Sequence, residues 1–223
     1  MEIKRYKLKE LTLNVTDGEH GSVIDDPKGQ HYLLSNKNII GGLIIYDSDD
    51  RIISESSFLK INSRTKLQYE DVVLSTVGTI GKAAIIKDKI INYDFQRSVG
   101  IIKCDPAKLT PQYLYYYLNL TSVQKRLKVL SKGAVQKCLF ISDLEDLDID
   151  VPAKFEDQLR ISNILKLIDD KIEVNTSINH ELQSMASNIF NYTFFNSNNS
   201  FITSNDLETL LMAAEPQAEY NKK

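Results

Sequence analysis

VPAKFEDQLRISNILKLIDDKIEVNTSINHELQSMASNIFNYTFF, residues 151–195, is the stretch whose reading decides the fold. It holds no glycine, and its single proline, Pro152, precedes the helical pattern. Apolar residues recur three and four apart, at Leu159, Ile161, Ile164, Leu165, Ile168 and Ile172, then Val174, Ile178, Leu182, Met185 and Ile189. That spacing is one face of a helix. About 35–40 helical residues at ~1.5 Å each make a rod of roughly 50–60 Å, far longer than the usual globular helix. A small preceding domain cannot cover so long a seam, so the pattern predicts a partner helix. Asn175 and Asn179 interrupt the seam midway. Buried, they would fix register and partner number; if the stripe drifts onto Val174 and Ile178, both face water.

Working outward, the 223 residues suffice for one ordinary domain plus an appendage. The 42% apolar and 26% charged fractions are those of a soluble globular chain. No run of about 18 apolar residues predicts a membrane span, and the opening MEIKRYKLKEL lacks an apolar signal core. With only Cys104 and Cys138, a reducing, cytoplasmic setting fits better than a disulfide framework. The net charge of −3 hides a segregation. Residues 1–81 hold ten Lys/Arg and twelve Asp/Glu, residues 82–137 hold eleven against three, and residues 138–223 hold six against fifteen. A phosphate-binding face needs local positive charge, because screening limits each contact to about 8–10 Å. A solvated helix or loop face would show the same excess.

The first 150 residues read as a mixed α/β (α+β) domain. Short strands are expected at 31–35, 43–46, 71–76, 82–86 and 98–103, separated by Gly and Asp/Asn clusters. Thr110-Pro111 opens a helix over 112–131, capped by Thr110 and closed before Gly133. Its stripe of Leu114, Tyr117, Leu118, Val123, Leu127 and Leu130 should pack inward, leaving Lys125, Arg126, Lys128 and Lys132 wet. Ser142-Asp143-Leu144-Glu145 matches a capping box, and 147–152 is a brief extended piece. The organisation is thus a domain over 1–150, one long helix over 151–195, and a tail over 196–223 that reads as partly disordered.

Motifs for chemistry are missing. Asp169-Asp170-Lys171 has the spacing of a nuclease triplet but lies on the long helix, where a solvated face explains it. Asp105-Pro106 resembles the start of an amino-methyltransferase loop, yet Ala107 and Lys108 stand where a base-stacking aromatic is needed. There is no phosphate-binding glycine motif, no Walker motif and no nucleophile elbow. His20, His31 and His180 share no metal-ligand spacing. Three stretches suit binding instead. Ser75-Thr76-Val77-Gly78-Thr79-Ile80-Gly81-Lys82 is a Gly/Thr-rich turn offering amides, hydroxyls and an ammonium. Gln96-Arg97 pairs an amide with a guanidinium, the groups that read adenine and guanine. Lys132-Gly133-Ala134-Val135-Gln136-Lys137 is a basic loop. Each also suits an ordinary hairpin or loop; their concentration within the basic segment singles them out.

Together these pieces resemble the specificity (S) subunit of type I restriction–modification systems. The resemblance runs over about residues 5–195. It rests on Thr16-Asp17-Gly18-Glu19-His20-Gly21, Gly41-Gly42, Asp71-Val72-Val73-Leu74-Ser75 leading into Gly78-Thr79-Ile80-Gly81, Gln96-Arg97, and Gly133 with Gln136. The run Val151-Pro152, Asp157-Gln158, Ile161, Leu165, Asp169 and Ile172 is its most specific part. The resemblance implies a non-catalytic subunit that reads double-stranded DNA through target-recognition domains. Its long helices would dock methyltransferase (M) and then restriction (R) subunits. Adenosylmethionine, ATP and Mg²⁺ would belong to those partners, with no cofactor or metal in this chain. Family members carry two recognition domains and two long helices; these 223 residues carry one of each. Two copies would then pair by their helices, antiparallel, through Ile161, Leu165, Ile168, Ile172, Ile178, Leu182, Met185 and Ile189, and read a palindromic split site. Thr79, Lys82, Gln96, Arg97, Lys132, Gln136 and Lys137 are the expected DNA contacts. The rival readings are a truncated S-like protein that holds M subunits without reading DNA, and a self-contained DNA-modifying enzyme.

Overall fold

The computed structural model describes residues 1–133 and 137–194. In chain order the elements are β1 (Ile3–Lys7), β2 (Thr12–Asp17), β3 (His31–Leu34), β4 (Ile39–Ile40), β5 (Leu43–Ile44), β6 (Ile52–Ile53) and α1 (Glu55–Thr65). There follow β7 (Val72–Ser75), β8 (Ala83–Ile85), β9 (Tyr93–Phe95), β10 (Val99–Cys104), α2 (Pro111–Asn119), α3 (Thr121–Leu130), α4 (Ile141–Glu145), β11 (Asp148–Pro152) and α5 (Phe155–Phe194). A mixed α/β domain followed by one long helix is the architecture the sequence predicts. The chain divides after Lys166 into two units. The expected tail over 196–223 lies outside the described residues.

The first unit is built on an antiparallel sheet of order β2-β10-β7-β8. β7 and β10 are buried on both faces, which is why VVL and VGII are continuous apolar runs rather than alternating ones. Val72, Leu74 and Ile102 face one core, shared with Leu114, Leu118, Val123 and Leu127 of α2 and α3. Val73, Val99 and Ile101 face the other, with Tyr93, Phe95 and Ile86. Each fully buried aliphatic side chain contributes about 1.5–3 kcal/mol against its exposed state. A second sheet, β6-β3-β9, pairs β3 with β9 in parallel. It packs α1 through Leu33, Ile53, Phe58 and Ile61.

The five expected strands appear at β3, β5, β7, β8 and β10, within a residue or two of the read boundaries. Three helical expectations change. The helix expected over 112–131 is two helices, because Leu120 adopts φ −60°, ψ 135°. Gln124 Nε2 donates to the Leu118 carbonyl at that break, and both halves still turn their apolar stripe inward. Thr110 caps α2 as read, its Oγ1 accepting from the Tyr113 amide at 3.1 Å. Arg126 is not a wet cation, since its guanidinium donates to the Asp148 carbonyl. The capping box at Ser142 does not form: α4 starts at Ile141, after Phe140, with no side-chain cap.

The start of α5 is anchored inside the first unit by a polar residue. Gln158 is only 2% exposed; its Nε2 donates to the Lys108 carbonyl at 2.9 Å and its Oε1 accepts from the Thr110 amide at 3.3 Å. The neighbouring Ile161 and Leu165 are half-buried. In the second unit, Ile168, Ile172, Ile178, Leu182 and Ile189 are exposed and Met185 is half-buried, so the seam has no cover within the described residues of one chain. Asn175 and Asn179 are likewise exposed.

β1 pairs antiparallel with β11, placing Arg5 opposite Asp150 and Lys7 opposite Asp148. Arg5 Nε lies 2.6 Å from Asp150, Lys7 Nζ 2.6 Å from Asp148 and Lys9 Nζ 2.7 Å from Asp146. Hydrogen bonds from Lys9, Lys7 and Arg5 hold Asp146, Asp148 and Asp150, respectively, below the ordinary carboxylate range. Depressed carboxylates stabilise the fold above the unfolded value, about 4 for Asp, and lose that contribution as pH falls through the lower folded values.

Two outcomes follow. Resistance of the chain to thermal unfolding should weaken as pH drops below about 4, and the Asp146→Asn, Asp148→Asn, Asp150→Asn variant should show a flatter acid limb; identical limbs would sink the ladder. Gln158→Leu leaves a buried N–H and a C=O unpaired, at about 1–3 kcal/mol for each group left without a partner. Urea unfolding of the first unit should therefore lose about 2–6 kcal/mol, with faster amide exchange in the first turns of α5. A midpoint equal to that of the unaltered chain would count against Gln158 as the anchor.

Candidate nucleic-acid interface

β2 ends at Asp17, and the backbone after it runs against β9 and β10. The Gly18 amide donates to the Val99 carbonyl at 3.0 Å, Glu19 to Phe95 at 2.7 Å, and Arg97 back to Glu19 at 2.9 Å. Glu19 and Gln96 thereby form a parallel bridge. A Cβ on Gly18 would stand 2.1 Å from the Phe95 carbonyl oxygen, so only glycine allows this approach. The Thr16–Gly21 motif is thus a backbone scaffold beneath Arg97.

α1 braces that scaffold. Arg64 Nη2 donates to the Gly18 carbonyl at 2.5 Å and Nη1 to the Asp17 carbonyl at 2.9 Å. The end of α1 is fixed by Asp94, which is wholly buried and accepts from Thr65 Oγ1 at 2.6 Å and Asn62 Nδ2 at 3.4 Å. Burial raises the Asp94 carboxyl above its usual range, and the hydrogen bonds from Thr65, Phe95 N–H and Asn62 oppose the rise. No expected site residue lies on α1. Its sequence signal was slight: Ser54 as N-cap and Phe58, Ile61 and Thr65 as the only buried positions.

From the other side the turn between β7 and β8 closes on Arg97. The Thr76 amide donates to the Ser98 carbonyl at 2.9 Å and its hydroxyl to the Arg97 carbonyl at 3.3 Å. Asn36 Nδ2 donates to the Val77 carbonyl at 2.7 Å. The basic loop is stitched to the same turn: Gly78 N–H donates to Lys137 C=O at 3.0 Å and Leu139 N–H to Thr76 C=O at 2.8 Å. Lys132 and Cys138 exchange two backbone hydrogen bonds of 2.8 Å. Gly78 and Gly81 take φ of 76° and 93°, the left-handed region that favours glycine.

The structure therefore brings Thr79, Arg97, Lys132 and Lys137 to one place, all exposed. Gln96 lies beneath them, half-buried, its backbone N–H donating to the Leu34 carbonyl at 2.8 Å. Lys82 sits at the far end of the turn, opening β8. Gln136 lies outside the described residues. Lys132 is already engaged, its Nζ 3.0 Å from Asp143 and 5.6 Å from the Phe140 ring centre. His20 joins the edge through a 2.7 Å contact with Asp17. Sequence reasoning gave roles neither to Arg64, Asn36 and Asp94 nor to the Asp143 pairing, whose partners are distant in sequence.

Chemically, this surface offers guanidinium, ammonium, hydroxyl and amide donors on a fixed backbone. Among the described residues no group of three or more His, Cys, Asp or Glu could hold a metal ion, and no helix is long and apolar enough to cross a membrane. Cys104 is a half-buried thiol pushed up to about 12 by desolvation, which suppresses the reactive thiolate.

The family model described as Type I restriction modification DNA specificity domain matches residues 28–184. The type I restriction enzyme EcoBI specificity subunit of Escherichia coli is 24% identical over 156 residues, 67% of this chain and 32% of that protein. The type I restriction enzyme MjaIX specificity subunit of Methanocaldococcus jannaschii is 28% identical over 142 residues, 61% of this chain and 32% of that protein. The solved S subunit of a type I restriction–modification system from M. genitalium has the same fold, with a TM-score of 0.62 at 18% identity. It is matched over 88% of this chain and 47% of that one. The chain thus spans about a third of the length of these curated relatives and about half of the solved subunit.

Gly18→Ala should destabilise the first unit by about 1–3 kcal/mol in chemical denaturation, the usual cost of forcing atoms into occupied space. Gly21→Ala is the control, because its Cβ would meet only the movable Glu19 carboxylate. Equal effects of the two changes would refute the close-approach argument.

Proposed function

Because the chain belongs to the type I restriction–modification DNA specificity family, we propose that its first unit reads one half of a split double-stranded DNA target. The observation that carries this reading is the extent of the family match. Residues 28–184 take in, as one continuous stretch, both the surface around Arg97 and most of α5. In this reading Arg97 supplies a bidentate donor to a base edge from a backbone fixed on both sides. Gln96, Thr79 and Gln136 add direct or indirect readout. Lys82, Lys132 and Lys137 hold phosphates, Lys132 after exchanging Asp143 for the DNA. The chain itself is not a catalyst: adenine methylation and cleavage, with adenosylmethionine, ATP and Mg²⁺, fall to M and R subunits.

We further propose that α5 pairs two copies of the chain, antiparallel, and presents the paired arms to M subunits. Ile161, Ile168, Asn175, Leu182 and Ile189 stand seven residues apart, the repeat of a left-handed coiled coil. Leu165, Ile172, Ile178 and Met185 flank that row. One asparagine in such a row disfavours other registers and partner numbers at some cost in stability. An identical pair would read a palindromic, interrupted site.

The test is expression of the chain with its M subunits, followed by mapping of methylated adenines on plasmid DNA. A palindromic split motif is expected. In the same assay Arg97→Ala should relax or abolish the motif, and Lys137→Ala should lower methylation of all sites alike. An asymmetric motif would sink the paired-copy reading. A complex that assembles but methylates nothing would sink DNA reading itself and favour a chain that only occupies M subunits.

A further inference from the structure

We propose that the outer face of α3 is a second DNA contact, in which Lys125 and Lys128 follow the sugar–phosphate backbone beside the site read by Arg97. The proposal rests on the DNA reading above and extends its footprint to residues outside the expected site.

Three observations converge on α3. Residues 106–142 contain six Lys/Arg and no Asp or Glu. Three of these cations are committed: Lys108 pairs with Asp105, Lys132 with Asp143, and Arg126 holds the Asp148 carbonyl. Lys125 and Lys128 are exposed, and their side chains make no hydrogen bond or ion pair among the described residues. Second, the helix is fixed alongside the β7–β8 turn from both its ends. Gln124 Nε2 donates to the Gly81 carbonyl at 2.8 Å. The far end runs into Lys132, whose loop bonds back to Thr76 and Gly78. Third, the faces are segregated: Val123 and Leu127 are buried, whereas Ser122, Lys125 and Lys128 face solvent. Lys125 and Lys128 are three residues apart within α3, so they share one face of the helix. A row of ammonium groups carries no base information, but it displaces condensed counterions from DNA of any sequence.

The experiment uses the complex with M subunits and two fluorescent duplexes, one carrying the mapped methylation motif and one scrambled, titrated over a salt series. For Lys125→Gln/Lys128→Gln, affinity for both duplexes should fall by the same factor. The slope of log K against log[salt] should become shallower by about 1–2, near 0.9 for each phosphate no longer neutralised. The methylated motif should not change. Lys125→Arg/Lys128→Arg should keep the original slope, which separates a charge effect from a damaged fold. An unchanged slope, beside a wild-type complex that still prefers its motif, overturns the α3 contact alone. Loss of M-subunit assembly at an unchanged slope also overturns it and marks α3 as a protein-docking face. A wild-type complex with no preference between the duplexes overturns the recognition reading, and this proposal with it.

Discussion

The approach of Gly18 to the Phe95 and Gln96 backbone is the constraint on which the surface around Arg97 depends. With no side chain between them, β2, β9 and β10 exchange hydrogen bonds through Gly18, Glu19 and Arg97. Arg64 then grips the carbonyls of Asp17 and Gly18. Asp94 ties α1 to the strand that ends one residue before Gln96. Each such hydrogen bond is worth about 1 kcal/mol net, but leaving a buried member unpaired costs more. The network therefore tends to hold as a unit, and the Arg97 backbone keeps its position without contacts from its own side chain.

The sequence was legible where structure is decided locally. The seam of α5 and the Thr110-Pro111 start of α2 declare themselves within a few residues. β7 and β10 do so because burial on both faces makes them uninterrupted apolar runs. β1 and β2 escaped notice for the opposite reason: β1 is almost wholly exposed and β2 buries only Val15, and pairing rather than burial holds β1 in place. α1 was missed because it buries only Phe58, Ile61 and Thr65. At the candidate site, the Gly/Thr turn, Gln96-Arg97 and the basic loop could be picked out as separate pieces. Their meeting could not, since it is made by backbone bonds between residues such as Gly78 and Lys137.

Charge shows the same divide. The positive segment reads as one reservoir in sequence, yet the fold sorts it into two kinds of cation. Lys103, half-buried, pairs with the buried Asp71, whose carboxyl is raised by desolvation despite that partner. Arg126 and Lys108 are spent on neighbouring carbonyls and carboxylates. Among the described residues, Arg97, Lys82, Lys89, Lys137 and the outer face of α3 keep exposed cations outside such pairs, so the usable excess is smaller than the formal one. Burial and pairing, not residue type, draw that line.

The pairing of β1 with β11 has a consequence for how such a domain can be exchanged. The Ala153 amide donates to the Glu2 carbonyl at 2.9 Å, so the strand that enters the first unit and the strand that leaves it for α5 are bonded neighbours. A domain whose entrance and exit share one doorway can be lifted out, permuted or replaced while its host helix keeps its length and phase. A substitute need only reproduce a strand pair with alternating opposite charges and a glutamine that docks the helix. The first unit is in this sense built as a cassette on one doorway.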